Sequence, residues 1–308
     1  MWMAPRESFK GALPTATEEE KTLAKRLETH VIMLATTIGQ RNVRRPEGLQ
    51  QSIDYLTATM KSLGYDVREQ AFEARGVTVK NLDAELKGSD KADEIVVIGA
   101  HYDSAADSPA ANDNGSGVAA VIEMARALRE SKPSRTIRFV FFVNEEPPFF
   151  QTDLMGSKVY AERSRQRGEK IVAMLSMETI GWYADEPGTQ KYPPPFGQFF
   201  PSEGNFIAFV GDTKSKDLVE RVLTSFRKTT RFPSEAVAAP EQVTGIGFSD
   251  QWSFWQYGYP ALMVTDTALF RYPHYHTTDD TPDKIDYDRM SRVVAGVTRA
   301  VRELAGAK

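Results

Sequence analysis

Five apolar runs constrain this chain more than any other feature: "EIVVIGA" (94–100), "TIRFVFFVN" (136–144), "IVAMLSM" (171–177), "NFIAFVG" (205–211) and "PALMVTD" (260–266). A strand with one wet face alternates apolar and polar residues. These runs barely alternate, so they read as strands buried on both faces. Helical periods separate or follow them: "GVAAVIEMARALRES" (117–131), "MGSKVYAERSRQRG" (155–168), "SKDLVERVLTSFRKT" (215–229) and "YDRMSRVVAGVTRAVRELA" (287–305). Strand–helix alternation with such strands predicts an α/β fold, a largely parallel sheet covered by helices on both faces.

Ahead of this block, "TATEEEKTLAKRLETHVIMLATTI" (15–38) opens on Thr and acids and continues at helical spacing. "PEGLQQSIDYLTATMKSLG" (46–64) starts with Pro and stops on Gly, a second helix. "YDVREQAFEA" and "VTVKNLDAEL" alternate and predict a strand pair. The first residues, "MWMAPRESFKGALP" (1–14), have no apolar signal core and read as a disordered extension, leaving 15–308 as a single catalytic domain. At 308 residues and 41% apolar content, the chain suffices for one such domain. A long irregular segment, 184–204, has the length of a functional loop.

Composition removes several functions. The net charge is −4 with both signs interspersed, and no basic stripe suggests a nucleic-acid partner. Cysteine is absent, which excludes disulfides, thiol catalysis and Cys-ligated metal. No apolar run approaches the roughly 20 residues that span a bilayer. Neither G-x-S-x-G nor a Walker motif occurs. Four histidines, His30, His101, His274 and His276, must supply any imidazole chemistry.

In open α/β sheets, ligands bind beyond the carboxyl ends of the strands. The first run ends in His101 and Asp103, the second in Glu145 and Glu146, the third in Glu178. The last leads into "HYHTTDDT" with His274 and His276, and "NDNGSG" places Asp113 where a helix begins. Singly, each has an ordinary reading. A lone His is more often a satisfied core residue, "NDNG" a turn, and "EE" a solvated pair. The sequon Asn114-Gly115-Ser116 is discounted because its segment reads as buried. Together, at successive strand exits, they point to metal. His with carboxylates suits zinc or a similar ion. Five ligands exceed the three of a single catalytic zinc and suit two ions sharing a carboxylate. Alternation along a strand would turn Glu145 and Glu146 to opposite sides, one toward metal and one toward a reacting water.

The motifs "VVIGAHYDS", "NDNGSGVAAVIEMARAL", "RFVFFVNEE…MGSKVYA", "METIG" and "YHTTDDTPDKID" resemble the zinc-dependent aminopeptidase family of bacterial leucyl aminopeptidases, glutamate carboxypeptidase II and glutaminyl cyclases. The resemblance covers about 95–290. It implies a three-layer α/β/α sandwich around a mixed, mostly parallel eight-stranded sheet, and two zinc ions per chain. His101 and Glu178 would hold one ion, Glu146 and His276 the other, with Asp113 bridging. Glu145 would be general base and acid, Tyr275 would stabilise the oxyanion, and Asp103 would steer His101. The Asp113–Asn114 peptide would be cis. The substrate would be a peptide with a free N-terminus, and, since many relatives are exported or membrane-anchored, the location would be extracytoplasmic, periplasmic or secreted, with the cytoplasm as the alternative.

Two departures stand out. Glu178 occupies a position where many members have Asp, and "PPFFQTDLM" (147–155) lengthens the loop after the glutamates, where it would shape the pocket rim. Alternatives remain: a one-zinc acyltransferase of the glutaminyl cyclase type, a carboxypeptidase or dipeptidase, and a non-enzymatic receptor domain. Retention of every ligand and of the Asp113-Asn114-Gly115 turn favours the peptidase. Phe149, Phe150, Trp182, Tyr183, Phe248 and Trp252 flank the ligands, and predict a preference for large apolar side chains where they line the pocket.

Overall fold

The computed structural model describes residues 1–4, 8–194 and 196–307. Nine strands form one mixed sheet: β1 (Trp2–Met3), β2 (Val67–Ala74), β3 (Val77–Leu86), β4 (Lys91–His101), β5 (Arg135–Phe142), β6 (Lys170–Glu178), β7 (Ile207–Gly211), β8 (Ser234–Ala238) and β9 (Ala261–Thr265). Their order is β1-β8-β7-β9-β6-β4-β5-β3-β2. The central block β9-β6-β4-β5 is parallel, while β3 runs antiparallel to β5, and β7 to β9. The strand beyond the expected eight is β1, which lies in the segment expected to be a disordered extension. Trp2 and Met3 pair with Ala238 and Val237, giving the exposed edge of β8 a hydrogen-bonded neighbour.

Helices α1 (Glu18–Ile32), α2 (Pro46–Ser62), α3 (Gly117–Leu128), α4 (Gly156–Gln166), α5 (Lys216–Thr229), α6 (Gln251–Gln256) and α7 (Tyr287–Ala305) cover the sheet. The acid-rich start of α1 acts as expected. The Thr17 hydroxyl accepts the Glu20 amide, and the Glu20 carboxylate accepts the Thr17 amide. Strand β8 and helix α6 escaped the sequence reading, since five or six residues are too few for a period to register.

Alternation divides each central strand between two cores. Val96, Ile98, Ala100, Ile137, Phe139, Phe141, Leu175 and Met177 face the layer of α1, α3, α5 and α7. Ile95, Val97, Val140, Phe142 and Met174 face the α4 and α6 layer. His101 and Glu178 continue the second set and so leave the sheet on the same face. Gly117 lets α3 start against the end of β6: a Cβ there would lie 2.2 Å from the Met177 carbonyl oxygen. The chain passes from β4 to β5 on one side and then to β6 on the other, so β4 is the switch point of the parallel block. Such a point opens a crevice at the strands' carboxyl ends.

Candidate metal centre

His101 is the last residue of β4, at that switch point, and Glu178 the last of β6 beside it. His101 Nε2 lies 3.4 Å from Asp113 Oδ1 and 3.2 Å from Glu178 Oε2. His276 Nε2 lies 3.0 Å from Asp113 Oδ2 and 3.1 Å from Glu146 Oε2. Asp113 therefore faces both imidazoles, one through each oxygen. Two three-residue groups result, His101–Asp113–Glu178 and Asp113–Glu146–His276, each with ligand atoms within 4.8 Å of one another. His101, Glu145 and Glu146 make a third such group, with Glu145 Oε2 3.8 Å from His101 Nε2. His30 instead joins Tyr55 and Glu123 between helices, and the His274 ring packs edge-on against Tyr272.

The turn carrying Asp113 is locked from both sides. The Asn112 side chain accepts the Gly181 amide and donates to Asp266, and Asn114 donates to the Met177 carbonyl while accepting the Thr179 amide. Asn114 is fully buried, in line with discounting the sequon, and the Asp113–Asn114 peptide is cis. Backbone strain gathers in the same place. Ala110, Asn144, Thr179 and His276 all have positive φ, at 57°, 60°, 40° and 57°. Each is a candidate ligand or lies within three residues of one. Such conformations cost about 1–3 kcal/mol apiece and persist where the surroundings over-determine them, most often at functional sites.

One expectation needs correction, and another gains a further role. Strand β5 ends at Phe142, so Glu145 and Glu146 sit on the following loop and strand alternation does not orient them. Asp103 contacts His101, its Oδ1 3.5 Å and its carbonyl oxygen 3.2 Å from Nδ1. Its carboxylate, however, is held by the loop: Oδ1 accepts the Glu145 amide at 3.1 Å and Oδ2 the Glu146 amide at 3.2 Å. It orients both glutamates as well as His101. Sequence reasoning also missed Ser249, which donates to Glu178, and Asp250, a fully buried carboxylate near the His101 and Glu178 charges with neither oxygen hydrogen-bonded.

Asp103, Asp113, Glu145, Glu146, Glu178 and Asp250, all buried, thus surround two imidazoles. Burial, then Asp113, pushes the Glu146 carboxyl up to about 7, and burial with neighbouring acids raises Glu145 well above the carboxylate range. Burial opposes charge on His276, but Asp113 and Glu146 outweigh it and raise its pKa to about 10. Glu146 Oε1 is buried without a partner, and His101 Nε2 and Asp113 Oδ2, equally buried, make no well-aligned hydrogen bond to the ligand atoms 3.0–3.4 Å away. Excess buried negative charge and orphaned ligand atoms both fit divalent cations among these nitrogen and oxygen donors.

Beside Glu178 and Tyr275 opens a cavity of about 100 Å³. Tyr192, Phe196 and Phe200 from the 184–204 loop, with Phe206, Ile246 and Phe270, make its walls apolar. The long loop is therefore structural to the pocket. Of the six aromatics singled out in sequence, Phe248 lines the cavity. Phe150 packs edge-on against it, whereas Phe149 and Tyr183 belong to the core. The loop after the glutamates, with a cis Pro147–Pro148 peptide, braces the wall through Gln151, which donates to the Gly247 carbonyl.

Imidazoles and carboxylates gathered at the carboxyl edge of a mixed sheet, beside an apolar pocket, define a metallopeptidase of the α/β/α class. The chain belongs to peptidase family M28, whose profile matches residues 81–301. The uncharacterized protein YfbL of Escherichia coli K12 is 36% identical over 282 residues, 89% of this chain and 86% of that protein. The probable leucine aminopeptidase 1 of Trichophyton verrucosum is 28% identical over 229 residues, 70% of this chain, and the match spans 56% of the fungal protein. Among solved structures, BSAP, a zinc aminopeptidase from Bacillus subtilis, superposes with a TM-score of 0.74 at 16% identity over 96% of both chains. Porphyromonas gingivalis glutaminyl cyclase gives 0.67 at 21% identity over 91% of this chain and 98% of its own. At these identities the structural likeness is one of fold.

Proposed function

We propose that this protein is an aminopeptidase that hydrolyses the first peptide bond of peptides with a free amino terminus, using two zinc ions. The observation that carries the reading is the pair of ligand groups sharing Asp113, with Glu145 left over beside them. His101 and Glu178 would hold one ion, Glu146 and His276 the other, and Asp113 both. Bound zinc supplies Lewis acidity and lowers the pKa of water toward neutrality. Glu145, 3.8 Å from His101 Nε2 and outside the two groups that share Asp113, takes a proton at Oε2 and returns it to the leaving amine. The Tyr275 ring stacks on His276 with centroids 3.9 Å apart. Burial and nearby carboxylates keep its hydroxyl protonated, a donor for charge developing on the scissile carbonyl oxygen. The surplus of carboxylates favours the substrate's ammonium, and the apolar cavity accepts a large apolar first side chain.

A panel of aminoacyl chromogenic substrates tests this. Leucyl and phenylalanyl substrates should be cleaved, their N-acetylated forms should not, and a chelator should abolish turnover until zinc or cobalt is added. Equal turnover of blocked and free substrates refutes an aminopeptidase, and full activity in verified metal-free protein refutes the mechanism. Cyclisation of N-terminal glutamine without hydrolysis, by protein holding one zinc, would establish the acyltransferase instead.

A further inference from the structure

Two fully buried charged side chains outside the ligand set grip the segment that presents Asp113. The Arg41 guanidinium donates to the carbonyls of Pro109 at 2.8 Å and Ala110 at 2.7 Å. It also donates to the Tyr102 carbonyl at 2.7 Å, between His101 and Asp103. Its own amide and carbonyl pair with Ser104. Asp280 takes the next three amides in succession. Its carbonyl oxygen accepts Ala111 at 3.1 Å, Oδ1 accepts Asn112 at 2.8 Å, and Oδ2 accepts Asp113 at 3.0 Å. The Tyr272 hydroxyl donates to Oδ1 at 2.8 Å and fixes the carboxylate.

The chemistry is complementary. A cation holds the carbonyls of 109–110, a carboxylate holds the amides of 112 and 113 while the Asp280 main-chain carbonyl takes that of Ala111, and the left-handed Ala110 lies where the two grips meet. Hydrogen bonds to ionised groups are roughly twice as strong as neutral ones. Among the described residues, neither side chain makes an ion pair, so each charge is satisfied by main-chain dipoles and the Tyr272 hydroxyl. Asp280 also stands four residues after His276 on the same loop. The two side chains therefore tie together the segments of His101, Asp113 and His276.

We propose that Arg41 and Asp280 are positioning residues that set the two oxygens of Asp113 relative to His101 and His276, and through them zinc affinity. A bridging carboxylate must satisfy two geometries at once, and functional constellations tolerate errors of only about 0.5 Å. The inference rests on the zinc reading above.

Zinc affinity, measured by competition with a chelating dye, tests it in the wild type, Asp280→Asn, Arg41→Lys, Asp113→Asn and the Asp113→Asn/Asp280→Asn double variant. Folding is checked by circular dichroism. Asp280→Asn and Arg41→Lys should each weaken zinc binding by about 10–100-fold, the usual effect of disturbing a ligand's support. Because Asp280 acts through Asp113, adding Asp280→Asn to Asp113→Asn should change zinc affinity little. A merely structural role predicts the same fold-loss in both backgrounds. Wild-type affinity in folded Asp280→Asn and Arg41→Lys, or additive losses in the cycle, overturns the inference while leaving the zinc reading intact. A wild type that takes up no zinc refutes both. Should Asp280→Asn fail to fold, Tyr272→Phe, which removes one hydroxyl from that carboxylate, replaces it in the cycle, with a smaller loss expected and the same two refuting outcomes.

Discussion

Glu145 and Glu146 are adjacent in the chain and meet different partners: Glu146 Oε2 sits 3.1 Å from His276, Glu145 Oε2 3.8 Å from His101. Glu145→Gln should retain both zinc ions and lose turnover by at least about 10²–10⁴-fold, the usual contribution of proton transfer, with substrate binding little changed. Glu146→Gln replaces a charged ligand by a neutral amide and should lose metal first, with partial rescue by excess zinc. Metal analysis beside kinetics separates them, and the reverse pattern would exchange their roles. His101, Glu146 and Glu178 were legible in sequence because each follows an apolar run, Asp113 because its turn opens a helix, and His276 through the motif "YHTTDDTPDKID". Arg41, Ser249, Asp250 and Asp280 were not, because their partners lie far away in sequence. Asp280 meets the Asn112 amide 168 positions away, and Arg41 the Ala110 carbonyl 69 away.

At the scale of elements, helix α1 is pinned to α3 by Glu123, an acid inside the apolar pattern "GVAAVIEMARAL". It pairs with Arg26 at 2.6 Å, Arg126 at 2.9 Å and His30 at 3.1 Å. Burial raises its pKa, but these partners outweigh burial and depress it from 4.5 to about 2. A carboxylate whose folded pKa lies below its unfolded value stabilises fully above the unfolded value, and that stabilisation is lost as pH falls through the folded one. Denaturant titrations between pH 5 and 2 should therefore show a steeper loss of stability in the wild type than in Glu123→Gln. Parallel slopes would remove Glu123 from the account. The 184–204 loop is the other element that shapes the site, since its Tyr192, Phe196 and Phe200 build part of the cavity wall. Nothing local in its sequence showed which way those rings turn.

For the whole molecule, the parallel order β9-β6-β4-β5 brings four chain exits to one edge. A cation bound there links segments from 101 to 276 and stabilises the folded state by mass action, by about 2.7 kcal/mol per site at a hundredfold excess over Kd. The chelated protein should melt several degrees lower than the zinc-loaded one, and adding zinc should restore the difference. A melting temperature indifferent to both treatments would contradict a zinc centre. No helix among the described residues is long and apolar enough to cross a membrane.

The longer strands and helices, and the kinds of side chain at the strand exits, were determined by the sequence alone, because apolar periodicity is a property of neighbouring residues. "EIVVIGA" could be little other than a buried strand, and His101 at its end demanded a reason. The two-residue edge strand, the loop geometry that turns Glu145 and Glu146 inward, and the grip of Arg41 and Asp280 on 109–113 were decided by tertiary structure. Each depends on distances between segments far apart in the chain, and those distances exist only once the sheet has set its strand order.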